Sequence, residues 1–277
     1  MKLCDLHAHS YYSDGACSPK ELLEQAKLAG LLAVALTDHN TVDGIEVFLN
    51  ESKKLNIEGI AGVEISCEYN EKELHVIALF VENSIDKIKE FLKVLNVRKE
   101  ESNINLAKTL NENGYKIDYE KIKKQAVGSI NRVLFATELM KSGYIKSVKE
   151  GLDTILSAKH GFYVPPKRLE VNEVLSFIKS INAVSVLAHP LLNLTREELT
   201  DFLPLAKAEG LNAIETKYSK YSLESREFSK ELSVKFGLLE SGGSDFHGEN
   251  KPDIKIGVGK GDLQVPYEFL EKLKNLR

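Results

Sequence analysis

The chain has 277 residues, a formal net charge of −4, and apolar and charged shares of 43% and 28%. That is the composition of a globular protein able to bury a full core, with no basic excess for gripping long duplex nucleic acid. Three unpaired cysteines (Cys4, Cys17, Cys67) offer neither a disulfide framework nor a thiolate zinc site, and no apolar run reaches membrane-spanning length, so a cytoplasmic protein without a membrane partner is expected.

In chain order, KLCDLHAH reads as a first strand. SPKELLEQAKLAG reads as a helix with Ser18 as N-cap, Pro19 at its first position, Glu21 completing a capping box and Gly30 ending it. LLAVALTDHN is a buried strand, and residues 42–56 are helical. IEGIAGVEIS and ELHVIALFV follow as two strands close enough to pair as neighbours. From about Ser84 to Lys159 the pattern becomes amphipathic and helical, without a convincing strand. Strand–helix alternation returns with AVSVLAHP, LNAIETKY and LLESGGSDFHG, and a helix from about Pro266 closes the chain. Seven strands, mostly separated by helices, imply a parallel sheet under helices. Residues 1–83 and 160–277 are expected to form an α/β barrel domain, and 84–159 a helical insertion covering its mouth.

The polar residues favour a closed barrel over an open sheet. His7 and His9 share one face at the end of strand one, with Asp14 in the following loop. His39 ends strand two, Glu64 ends strand three, His75 lies on strand four, and His189 ends strand five. Asp245 and His247 follow the last strand. Six of the seven histidines thus fall at or near strand ends, and only a closed barrel brings all those ends to one mouth. The nine candidate ligands offer only nitrogen and oxygen donors, which suits zinc, manganese or ferrous iron. Nine are too many for one ion; two ions with bridging carboxylates, or three with open positions, would use them. Three divalent ions against Asp14, Glu64 and Asp245 would make the mouth net positive and attractive to phosphate. A hydroxide bridging two ions would then attack phosphorus in line. Glu215 at the end of LNAIETKY reads equally as a support for the site or as a plain inward carboxylate. GVGKGD, residues 257–262, lacks phosphate-loop spacing and reads as a turn region.

DLHAHSYYSDG, TDHNT, GVEIS, HVIALF, LAHP and GGSDFHG resemble, in order, the motifs of the PHP family of metal-dependent phosphoesterases (polymerase and histidinol phosphatase), members of the amidohydrolase-like barrels. The resemblance implies a distorted seven-stranded β/α barrel and up to three metals. By it, His7, His9, Glu64 and Asp245 hold one ion. Glu64 bridges to a second with His75 and His189, and Asp14, His39 and His247 hold a third. Asp38 is expected to orient or hydrogen-bond, and to belong with His189 and Asp245 to the catalytic group. Within the family, the insert and NRVLFATELMKSGYIKSVKEGL look most like the subgroup that hydrolyses nucleoside monophosphates, adenosine bisphosphate or the 5′ ends of short oligonucleotides. The resemblance places Arg132 and His160 as substrate contacts, although Arg132-Val133-Leu134 stands where that subgroup usually has Arg-Pro-His. A histidinol-phosphate phosphatase and a non-catalytic, metal-stabilised scaffold are the alternatives.

Overall fold

The computed structural model describes residues 2–126 and 128–277. In chain order its elements are β1 (Leu3–Asp5), α1 (Pro19–Leu28), β2 (Ala33–Leu36), α2 (Ile45–Leu55), β3 (Glu58–Tyr69), β4 (Lys72–Leu79) and α3 (Ile85–Glu112). Then come α4 (Tyr119–Gln125), α5 (Arg132–Lys141), α6 (Val148–Asp153), β5 (Leu169–Glu170), α7 (Val171–Ser180) and β6 (Val184–Ala188). The remainder is α8 (Arg196–Glu209), β7 (Ala213–Tyr218), α9 (Leu223–Lys235), β8 (Leu239–Gly243), β9 (Val265–Pro266) and α10 (Tyr267–Lys274). Two compact units divide the chain: Met1–Glu90 with Arg168–Arg277, and Phe91–Lys167. Among the described residues no helix is long and apolar enough to cross a membrane.

The first unit is built on one sheet in the order β8-β7-β6-β4-β3-β2-β1-β9, with β5 added to β3. Its helices start where local chemistry says they should. Ser18 caps α1 through a full capping box with Glu21, and Thr195 does the same for α8 with Glu198. The seven longer strands are those the sequence pattern predicts, but the sheet is not parallel throughout. β4 runs antiparallel to both β3 and β6. The cause is the link Asn70-Glu71, where both residues have positive φ (48° and 63°). A two-residue turn of that kind joins a hairpin and cannot make the long crossover a parallel pair needs.

The sheet curls until its ends meet, giving a nearly closed barrel. Beyond β1 and β8 the two chains are stitched by Leu6 N–H to Gly242 O (3.1 Å), Asp245 N–H to His7 O (2.9 Å) and His9 N–H to Phe246 O (2.9 Å). Gly243 permits this seam. A Cβ there would lie 2.3 Å from His7 Cβ and 2.5 Å from His7 N, inside any possible contact. Small and branched side chains fill the interior, among them Cys4, Leu6, Ala35, Ile77, Val186 and Ala213, and α10 adds Phe269, Leu270 and Leu273 to the same cluster.

The second unit is helical, with no strand among its described residues. Asp118, Asn131 and Ser147 cap α4, α5 and α6 with their side chains. Leu106, Leu110, Phe135, Leu139 and Leu156 make its own core.

Candidate metal centre

Period-two alternation sends His7 and His9 to one side as the chain leaves β1. His39 leaves β2 and pairs with Glu64 in an isolated parallel bridge. Glu64 does not end its strand as expected. β3 continues to Tyr69, because its outer half pairs with β4 residue for residue. His75 lies in the amino-terminal half of β4, so the strand's antiparallel sense puts its start, not its end, beside the other tips. There it pairs with Ala188, next to His189. His189 and Asp245 adopt left-handed φ values of 31° and 57°, costly for residues other than glycine, and turn the chain back right after β6 and β8.

All nine predicted ligands come together in overlapping groups whose donor atoms lie within 4.8 Å of one another: His9, Asp14, His39 and His247; His7, Glu64 and His189; His7, His9 and Asp245; His39, Glu64 and His75. Glu64 is the hub. Its Oε1 lies 2.9 Å from His75 Nδ1 and 3.0 Å from His189 Nε2. Its Oε2 lies 3.1 Å from His7 Nε2, 3.2 Å from His9 Nε2 and 3.1 Å from His39 Nδ1. Asp14 Oδ2 is 3.1 Å from His247 Nε2, and Asp245 Oδ1 is 3.4 Å from His9 Nε2.

These donors fit metal ions by a direct test. Glu64 Oε2, His9 Nδ1, His39 Nδ1 and His247 Nε2 are buried and make no hydrogen bond. Buried polar atoms without partners are rare and costly. Here they crowd within ion-pair distance yet fail hydrogen-bond alignment, as atoms do that point at a common centre instead of at each other. His7 Nε2 and His9 Nε2, 3.0 Å apart, face the same spot. Burial pushes the Glu64 carboxyl upward, but the His39, His7 and His75 imidazoles outweigh it and hold the group well below the usual range. Burial, joined by repulsion from His9 and His75, takes His39 down to about 3 against the attraction of Glu64 and Asp14.

Further residues orient the ligands. Glu215 resolves its open reading as a support: Oε1 is 2.9 Å from His7 Nδ1, and Oε2 accepts the His189 N–H at 2.7 Å. Facing a carboxylate, His7 Nδ1 carries the proton and Nε2 keeps its lone pair for the centre. The Asp245 carbonyl, 2.8 Å from His247 Nδ1, does the same for His247. The outer oxygen of Asp245, Oδ2, accepts from Tyr218 OH (2.9 Å) and Lys251 Nζ (3.0 Å). Glu73 links His75 Nε2 (3.2 Å) to Arg168 (2.6 Å). Buried Asp5 accepts from Ser244 N–H (2.8 Å) and Gly257 N–H (2.7 Å), tying the end of β1 to the loops after β8. Tyr218, Lys251, Glu73 and Asp5 carry no sequence signal beyond their type, since their roles depend on chain segments that only the fold brings near.

Asp38 hydrogen-bonds in the way expected of an orienting residue. Its oxygens are committed to Ser10 N–H (2.8 Å), Ser10 Oγ (2.6 Å) and Ser13 Oγ (2.6 Å), and it joins none of the ligand groups. Burial lifts its pKa to about 6, and what it does is fold the loop that carries His9 and Asp14. Arg132 and His160 belong to the helical unit. Arg132 stacks 4.5 Å over the Tyr163 ring and donates to Leu156 O (3.3 Å), while His160 is exposed.

Comparison with known proteins agrees with this geometry. A 5′-3′ exoribonuclease of Haemophilus influenzae is 28% identical over 247 residues, spanning 89% of this chain and 90% of the relative. A 3′,5′-nucleoside bisphosphate phosphatase of Chromobacterium violaceum is 25% identical, spanning 92% and 91%. A solved structure from Bifidobacterium adolescentis superposes with a TM-score of 0.87 over 99% of this chain and 96% of that one at 24% identity, which establishes the fold. The PHP domain family matches residues 5–164. The chain belongs to the PHP domain family and is a metal-dependent phosphoester hydrolase.

Proposed function

We propose that the chain hydrolyses phosphate esters of nucleotides: nucleoside monophosphates, adenosine bisphosphate or the 5′ ends of short oligonucleotides. The observation that carries this is the gathering of nine nitrogen and oxygen donors around Glu64, with four of their buried atoms lacking any hydrogen bond. Two or three divalent ions, manganese, zinc or iron, would be held there. Glu64 would bridge from the His75 and His189 side to the His7 and His9 side. Asp14, His39 and His247 would hold the outermost ion. Such ions polarise phosphoryl oxygens and bring the pKa of a water toward neutrality. Three carboxylates do not cancel that many divalent charges, so the pocket favours a compact anion. The chain's own part is to fix the donors: Glu215 and the Asp245 carbonyl hold the Nδ1 protons of His7 and His247, and Asp38 holds the His9–Asp14 loop. Asp245 and His189 are the catalytic groups of this reading, with Asp38 orienting the loop beside them. Arg132 and His160 are proposed as substrate contacts from the family resemblance. The relatives named above, which act on RNA and on nucleoside bisphosphates, support a nucleotide substrate.

The test is phosphate release from AMP, adenosine 3′,5′-bisphosphate and a short 5′-phosphorylated RNA with manganese added, with metal content measured on the same preparation. Turnover of at least one nucleotide substrate is expected. A preparation with two or more ions per chain that hydrolyses none of them overturns the proposal.

A further inference from the structure

Glu73 divides its two oxygens between a ligand and a cation. Oε1 lies 3.2 Å from His75 Nε2, and Oε2 accepts from Arg168 Nη2 at 2.6 Å. Glu73 and His75 are two residues apart on β4 and share a face. The Glu73 carbonyl accepts from Asn193 Nδ2 at 2.7 Å, just past the 3-10 turn Pro190–Leu192 that follows His189. Arg168 immediately precedes β5, where pairing of Leu169 with Cys67 and of Glu170 with Glu68 lays the segment along the outer half of β3. This short strand therefore delivers a guanidinium to Glu73.

Glu73 thus braces both imidazoles that flank Glu64 Oε1, His75 through its carboxylate and the turn after His189 through its carbonyl. Those two rings stand 5.2 Å apart, edge to face. Facing a carboxylate, His75 Nε2 carries the proton, and Nδ1 keeps its lone pair for the centre. The Glu73 side chain is 41% exposed, so without a second partner it is free to turn to water; Arg168, 20% exposed, holds it. A guanidinium only donates, so the group at position 73 must always offer Arg168 an acceptor.

We propose that Arg168 is a positioning residue for ion binding: by claiming one oxygen of Glu73 it fixes the hydrogen-bond sense of His75, and with it the affinity for the ion that His75 and His189 would share with Glu64. This rests on the ion-centre reading and deepens it.

Manganese is titrated into the metal-free chain, with free ion followed by electron paramagnetic resonance, for wild type, Glu73→Gln, Arg168→Gln and the double variant. In Glu73→Gln the single amide oxygen goes to Arg168, which leaves the NH2 facing His75 Nε2. The ring must then protonate at Nδ1, 2.9 Å from Glu64 Oε1, and its lone pair leaves the centre. One ion per chain is expected to bind about tenfold more weakly, the others as in wild type. Arg168→Gln alone costs about threefold or less, because the pair is partly exposed. In the double variant the new amide at position 73 is released to turn its oxygen to His75, and affinity returns to within about threefold of wild type. A role in folding alone would make the two losses add; circular dichroism and the melting temperature of each metal-free variant check the fold. Wild-type affinity for every ion in Glu73→Gln, or a double variant at least as weak as Glu73→Gln, overturns the inference and leaves the ion centre standing. If the wild type takes up no manganese, the ion centre falls and the inference with it. Ion counts do not depend on ester turnover, so a failure of the phosphoesterase reading is seen separately.

Discussion

Replacing Glu215 by Gln tests whether a buried carboxylate sets the tautomer of a ligand. Glu215 is 1% exposed and serves two donors, His7 Nδ1 at 2.9 Å and the His189 N–H at 2.7 Å. Glutamine has the same shape but only one accepting end. If its carbonyl faces His189, its NH2 faces His7 Nδ1. The imidazole must then protonate at Nε2, the nitrogen 3.1 Å from Glu64 Oε2, and its lone pair turns away from the centre. If the amide sits the other way, a buried backbone N–H loses its acceptor. Either arrangement gives up a charge-assisted hydrogen bond, about 1.5–3 kcal/mol, which is about ten- to hundredfold in affinity for the ions. Competition with a calibrated chelator measures that affinity, and circular dichroism checks the fold. A folded Glu215→Gln protein with wild-type ion affinity would refute the tautomer argument.

In the metal-free protein burial works against charge on His9 and His75, yet Asp245 and Glu64 hold His9 up to about 9, and Glu64 with Glu73 holds His75 up to about 10. Folded values above the ordinary 6.5 mean that this stabilisation is complete below that pH and is lost as pH rises through 9 to 10. The melting temperature of the metal-free protein should therefore decline across that window. Ions displace the same protons, so loading at pH 7 should release them; titrations giving equal heats in buffers of different ionisation enthalpy would contradict this. Gly243→Ala drives a methyl to 2.3 Å from His7 Cβ and must open the β1–β8 seam. We expect a loss of about 3 kcal/mol or more and, with it, weakened ion binding. A melting temperature equal to wild type would show that the seam is not closely packed.

The strand tips were legible because they carry residue types a plain core avoids. A histidine pair at spacing two after an apolar run, or Asp-x-His after a glycine pair, has few other uses. Their common destination followed from barrel closure. The direction of β4 is not legible in the sequence: Asn70-Glu71 looks like any polar link until both residues are seen at positive φ, so the pattern gives His75 a strand but not the strand's sense. Nor could β5 and β9 be read, since two residues show no periodicity. Asp38 illustrates a subtler limit. A buried acid beside a ligand looks the same in sequence whether it meets a substrate or two serines, and only the partners separate the roles. Glu215 stayed ambiguous for the same reason. Lys251 carries no sequence signal because its contact with Asp245 is made across a loop.

The seam that joins the first strand to the last also forms one wall of the ion site. His7 and its support Glu215 are 208 residues apart in the chain, and Asp5 and Ser244 are 239 apart. His39, Glu64 and His75 lie close together in the chain, but the donor groups that use His189, Asp245 or His247 cannot form until the segment that carries β6 to β8 has joined the first strand. A full set of nine donors therefore exists only once the ring has shut, so complete ion loading reports on closure of the barrel.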